Sequence, residues 1–197
     1  MRGLLMRFSG LVTLIALGLA VVPVSGSDDV APAPLTTSTS VTHVNFRSSK
    51  SFDAAAAAIE QQLGKFDADA FASLMASSMS PADIESKIHA MEGSSGLILF
   101  AARDHGQLLS LKGKKASARQ YEVGNPLIAA QMTQVDLRAG EYAPLRMYVY
   151  VGTDNMTHID YDLPSSVFGR FKSPAVAKVA AGLNHKLETL VTNALKD

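Results

Sequence analysis

Alternation of apolar and polar side chains is sharpest between Leu145 and Val151, where Leu145, Met147, Val149 and Val151 fall on one side and Arg146, Tyr148 and Tyr150 on the other. A period of two marks a strand with one covered face. The same period resumes from Thr157 to Asp162, with Ile159 and Tyr161 inward and His158, Asp160 and Asp162 outward, and Gly152 to Asn155 supplies turn chemistry between the runs. A hairpin is predicted. A slip of one residue would turn every side chain over, so even-numbered residues must oppose even-numbered ones. Arg146, Tyr148, Tyr150, His158, Asp160 and Asp162 are thereby expected on one surface.

Elsewhere the pattern predicts a first strand over Val41 to Arg47, with Val41, His43, Asn45 and Arg47 facing away from Thr42, Val44 and Phe46. Ser51 is placed to cap a helix whose Phe52, Ala55, Ile59 and Leu63 recur at three and four. Phe66 to Gly93 reads as helical, with a fresh start at Ser80, Pro81 and Asp83 and an apolar face of Ile84, Ile88 and Met91. The wholly apolar run Leu97 to Ala102 suits a strand in the middle of a sheet. Asp104 to Gly106 ends it, and a short helix is expected from Gln107 to Leu111. Arg119 to Val123 is extended, after which Gly124 turns the chain and Asn125 and Pro126 cap and open a helix through Leu127, Ile128, Met132 and Val135. Ser173 and Pro174 start a last helix in which Val176, Val179, Leu183, Leu187, Leu190, Val191 and Leu195 form one apolar stripe. This order predicts an α+β single domain with a largely antiparallel or mixed sheet and helices packed on one side.

The N-terminus changes the picture of where the chain resides. Met1 to Arg7 is short and positive, Leu11 to Val22 is apolar, Pro23 breaks any helix, and Val24 to Gly26 are small. This is the layout of a secretory signal peptide over residues 1–26. An uncleaved anchor is the competing reading, because no charge lies between Arg7 and Asp28. Residues 27–40, rich in Pro, Thr and Ser, cannot bury enough apolar area to offset ordering and read as a disordered tether. Residues 41–197 remain for the folded domain. A periplasmic or secreted location is expected, with no stable membrane insertion after signal cleavage.

Charge and composition then exclude whole classes. The chain of 197 residues carries 18 basic and 18 acidic groups, and removal of Arg2 and Arg7 leaves a slight acidic surplus. A nucleic-acid partner, which needs a basic surplus, is not expected. The run Lys112, Lys114, Lys115 around Gly113 reads as a solvated turn, since no aromatic residues interleave with it. With no cysteine, disulfides, thiolate catalysis, a lipid-modified N-terminus and Cys-based metal sites are all out. No His-x-x-x-His spacing, calcium loop, nucleophile elbow or glycine-rich phosphate loop occurs, so neither a metal nor a cofactor is expected.

Three segments together carry a family resemblance: Asp104-His105, then Gly124-Asn125-Pro126-Leu127-Ile128-Ala129 with Met132 beyond, then Pro144-Leu145-Arg146-Met147-Tyr148-Val149-Tyr150. They resemble the family catalogued as domain of unknown function 302, over about Val41 to Phe171. The resemblance implies a compact α+β fold that tends to dimerise, in bacteria and archaea, and supplies no activity. The helical stretch from Phe66 to Gly93 and the C-terminal helix look like departures from it.

Three features are candidates for chemistry, each with a plainer reading. Asp104 and His105 could act as acid and base, because a carboxylate can tune a neighbouring imidazole; adjacent strand residues point apart, however, and Asp104 could simply cap the next turn. Asn125 could help a helix N-terminus hold an anion, or could be only the cap that a tight turn requires. Arg146, amid Tyr148, Tyr150 and His158, could clamp a carboxylate or phosphate, or could pair across strands with Asp160 or Asp162. The expected function is a non-catalytic small-ligand-binding or dimerisation domain, taking a small anionic ligand or a second copy as a homodimer on the Arg146 surface. An envelope enzyme built on Asp104, His105 and Arg146 is the alternative, and a tethered surface protein a third.

Overall fold

In a computed structural model, residues 33–196 are described, and the signal peptide expected over residues 1–26 lies outside them. So does the first part of the expected tether; residues 33–42 have no regular secondary structure and are exposed. The fold belongs to the unit Ser38–Asp197.

In chain order, the elements are β1 (His43–Ser48), α1 (Phe52–Glu60), β2 (Gly64–Lys65), α2 (Ala68–Met75), α3 (Pro81–His89), β3 (Ile98–Asp104), α4 (His105–Ser110), β4 (Ala118–Gly124), α5 (Pro126–Thr133), β5 (Leu145–Val151), β6 (Thr157–Asp162), α6 (Pro164–Phe168) and α7 (Pro174–Leu195). The α+β domain thus has one six-stranded mixed sheet in the order β1-β6-β5-β4-β3-β2. All neighbours are antiparallel except β2 and β3.

Local chemistry sets the helix starts. Ser51, Ser80, Asn125 and Ser173 each accept a backbone N–H two or three residues on, and Pro81, Pro126 and Pro174 follow the last three caps at the first helical position, where their missing N–H costs nothing. The β5–β6 register sets Tyr148 opposite Asp160 and Tyr150 opposite His158, so the hairpin pairs even with even as its alternation demanded.

One face of the sheet is covered. Tyr121 and Val123 of β4, Met147 and Val149 of β5 and Ile159 and Tyr161 of β6 meet Ile59 of α1, Met132 of α5, Phe168 of α6 and the stripe Val176, Ala180, Leu183, Leu187, Leu190 and Val191 of α7. On the other face the alternate residues are exposed or half-buried.

The structure adds one strand to the expected elements and corrects the place of another. The helical pattern from Phe66 to Gly93 forms α2 and α3, with the fresh start at Ser80 as expected, and the two-residue β2, which was not expected, precedes it. Gly64 and Gly93 permit this, because a Cβ on Gly93 would stand 2.3 Å from the Gln62 carbonyl oxygen. The apolar run that forms β3 is not mid-sheet but fifth of six strands. It is apolar because both of its sides meet apolar neighbours, Leu99 packing against the core and Phe100 lying 4.6 Å, ring to ring, from Phe66.

Candidate functional site

Strand registers order the open face into three rows. Arg47, His158, Tyr150 and Ala118 form the first, and Asn45, Asp160, Tyr148, Gln120 and Arg103 the second. His43 and Asp162 on one side, and Arg146 and Glu122 on the other, continue into the third. Tyr148, Tyr150 and His158 therefore stand side by side as the alternation predicted. Ring centroids are 5.6 Å apart from Tyr148 to Tyr150 and 5.0 Å from Tyr150 to His158, the latter pair stacked nearly parallel at 16°.

His105 joins this row and Asp104 does not. The His105 ring stands edge-on to Tyr148 at 5.5 Å. Asp104 instead caps α4, its Oδ1 accepting the Gln107 N–H at 2.7 Å, with its other oxygen 4.0 Å from an Arg119 nitrogen towards the covered face. Successive strand side chains point to opposite faces, and this pair obeys that rule. The two residues are not brought together as an acid–base pair.

Asn125 is similarly occupied. Its Oδ1 accepts from the N–H groups of Leu127 at 2.8 Å and Ile128 at 3.3 Å, while its Nδ2 donates to Glu92 at 2.7 Å and to the Gly96 carbonyl at 3.1 Å. The side chain is buried and fully satisfied. It lies apart from the aromatic row.

Arg146 is exposed and lines a concavity of about 260 Å3 with His43, Gln120, Tyr148, Asp160 and Asp162. The ion pair with Asp160 or Asp162 does not form. Those carboxylates hold His43 instead, at 3.2 and 3.3 Å, and Asp160 also accepts from Asn45. The Glu122 carboxylate opposite Arg146 pairs with Arg103 at 2.6 Å. The hydrogen bond to Asp162, helped by Asp160 and opposed by partial desolvation, raises the His43 imidazole above its ordinary value. Asn45 donates to His158 Nδ1 at 3.2 Å, which leaves His158 Nε2–H to donate to Asp154 at 3.0 Å. That bond holds the Asp154 carboxyl below the usual range, and burial with the nearby Asp160 charge pushes the Tyr150 phenol up.

Sequence reasoning did not single out His43 or Gln120 for this concavity. The signal was present in the strand alternation, since both lie on the polar side of their strands. Among the described residues no group of His, Asp and Glu gathers that could hold a metal, and no helix is long and apolar enough to cross a membrane.

The family model described as "Domain of unknown function DUF302" matches residues 72–194. The chain belongs to the DUF302 family. The match takes in the segment from residue 72 to Gly93 and all but the last residue of α7. A crystal structure of an uncharacterized conserved DUF302 protein from Bacillus stearothermophilus superposes with a TM-score of 0.55 at 18% identity, covering 77% of this chain and 97% of that one. At that identity the likeness speaks for the fold. None of the curated proteins matches this chain.

Proposed function

We propose that this DUF302 protein is exported and acts without catalysis, as a binding domain that clamps an anionic group at Arg146. Export rests on the positive, apolar and small-residue sequence of residues 1–26, followed by a Pro/Thr/Ser-rich tether. The clamp rests on one observation. Of the described arginines, Arg47, Arg103, Arg119, Arg138 and Arg170 each have a carboxylate within 4.0 Å, and Arg146 alone has none. A guanidinium offers two parallel N–H bonds to a carboxylate or phosphate, and Tyr148 beside it supplies an apolar wall.

Asp160 and Asp162 limit what enters. Their charge is partly offset by His43, yet it still repels a polyanion, which favours a ligand with a single carboxylate-sized charge. The reading excludes acid–base chemistry by Asp104, whose carboxylate is committed to its helix cap.

A second copy of the chain is the other reading, favoured by the charges about Arg146: Asp162 and Glu122 carry opposite sign to His43 and Arg146 on the same open face. A two-fold pairing of such faces can set Arg146 of one protomer against a carboxylate of its partner.

Native mass spectrometry of the full chain purified from its own envelope tests both readings. Expected is a mass beginning after Gly26 with a retained small acid, or a dimer. Arg146→Ala should lose either with the melting temperature nearly unchanged, because a charge-assisted bond of about 1.5–3 kcal/mol corresponds to roughly 10- to 100-fold in affinity. A monomer without cargo, or an Arg146→Ala variant that keeps its cargo, overturns the clamp.

A further inference from the structure

Away from the open face, and sharing no residue with the Arg146 concavity, the fold leaves a second space of about 220 Å3. Phe71 of α2, Phe100 of β3, Ile128 and Met132 of α5, Phe168 of α6 and Leu183 of α7 form its walls. Gly124 widens it, since a Cβ there would already be in contact with Phe100 at 3.5 Å and Pro144 at 3.7 Å. We propose that this cavity binds a small, uncharged, apolar molecule.

Chemistry of the lining selects that class. The only polar side chain on the wall is Asn125, and all its hydrogen-bonding capacity is committed to the α5 cap, Glu92 and Gly96. A buried water needs two to four polar partners, and no side chain here has one to spare. A charged ligand would likewise lose its hydration for nothing. An apolar cavity of roughly 150 Å3 accommodates benzene, so a space of this size suits a molecule of about ten carbon atoms. Three phenyl rings in the wall favour a flat, aromatic occupant, through offset or edge-on contact.

A second observation shows an adaptable rim. α2 contributes Phe71 to the wall, yet none of its eight residues is buried, and Met75 at its C-terminal end is 55% exposed. The helix is held chiefly by ring contacts, Phe71 with Phe66 at 5.3 Å and Phe66 with Phe100 at 4.6 Å. The space is already open to solvent on one side, and a helix this short, without buried anchors, lets that rim shift at low cost to close on a ligand.

Naphthalene is the test molecule, with naphthalene-1-sulfonate as its charged counterpart, titrated by fluorescence into the full chain. We expect naphthalene to bind with a Kd of about 0.1 mM, and the sulfonate at least about tenfold more weakly. Ala129→Leu, which extends a lining side chain into the space, should weaken naphthalene at least about tenfold. In the wild-type chain, bound naphthalene should slow amide hydrogen exchange across residues 68–75, a readout that stands even if the variant fails to fold. Absence of naphthalene binding, equal binding of the sulfonate, or naphthalene binding that leaves both Ala129→Leu affinity and exchange in residues 68–75 unchanged overturns the proposal. Arg146→Ala should leave naphthalene binding intact, so failure here and failure of the anion clamp are separate results.

Discussion

Val149 and Tyr150 are neighbours on β5, yet Val149 is 0% exposed among residues of α1 and α7 while Tyr150 lies in a row of rings with solvent on one side. The same alternation repeats on β6 with Ile159 and His158. The covered face is assembled from interchangeable apolar volumes, and its energy is area removed from water. The open face is assembled from specific groups whose partners matter: Asp154 for His158, Asp160 and Asp162 for His43, and none for Arg146. Stability and recognition are thereby divided between odd and even positions of one hairpin, and substitutions at adjacent residues should separate them.

The largest difference is expected from Ile159→Ala against His158→Ala. Truncating Ile159, fully buried, removes transfer energy and leaves a cavity, at a cost of about 2–5 kcal/mol. His158→Ala forfeits a partly exposed pair and one stacked ring, about 1 kcal/mol. Denaturant midpoints of the two variants measure this. Equal losses would mean that the open face is sealed by something in solution, such as a second copy.

How far the two faces could be read in advance follows from how local their causes are. The hairpin, its even-with-even register and the caps at Ser51, Ser80, Asn125 and Ser173 are written in spacings of two to four residues, and each was legible. The open-face grouping of Arg146, Tyr148, Tyr150 and His158 followed from that register alone. β2 was not legible, because two residues carry no period and its pairing is with a strand more than thirty positions away. The place of β3 was misread for a related reason: an apolar run reports that both sides are covered, not that the strand is central. The apolar cavity was illegible altogether, as its walls come from seven elements that touch only after folding.

Next in size is the polar cluster that penetrates the covered face. Tyr121 donates its hydroxyl to Glu60 at 2.7 Å, and Arg119 bonds the same oxygen at 2.9 Å while its guanidinium stands 5.7 Å from the Phe52 ring. Burial, reinforced by the bond to Glu60, pushes the Tyr121 phenol well above its ordinary value near 10. Tyr121→Phe should cost about 1–2 kcal/mol near neutrality by removing the hydroxyl's bonds to Glu60 and Arg119, which stay paired with each other. A phenol whose pKa is raised on folding stabilises fully below its unfolded value and loses that contribution as pH climbs above it. Wild-type stability should therefore decline from pH 10 upward, and the decline should be shallower in Tyr121→Phe. Parallel alkaline curves would show that the hydroxyl is not sealed.

Asp104 and His105 test the comparison within one dipeptide. Asp104→Ala removes the cap of α4 and should cost about 1 kcal/mol. His105→Ala removes one edge-on ring contact with Tyr148 and should cost about half that or less. Thermal melts of the two single variants and the double should be additive, because the two side chains act on opposite faces. A coupling above about 0.5 kcal/mol would instead make them the interacting pair that catalysis needs.

The smallest effect is expected at His43. Three of the five histidines, His43, His105 and His158, stand on or beside the open face. The His43 imidazole is held above 6.5 by its hydrogen bond to Asp162, with Asp160 adding to it. A base whose pKa is raised on folding contributes its full stabilisation below 6.5, and the contribution disappears as pH rises through the folded value. The ring is 57% exposed, so solvent screening confines the contribution to a few tenths of a kcal/mol, roughly the low end for exposed pairs. Ring proton shifts followed by NMR should give a midpoint above 6.5 that falls towards it in Asp162→Asn and at high salt. Anion affinity at Arg146 should weaken through the same pH window, since protonated His43 offsets the two carboxylates beside the guanidinium. A midpoint at or below 6.5 would return Asp160 and Asp162 to full negative charge at neutrality, and would make the Arg146 concavity a poor host for any anion.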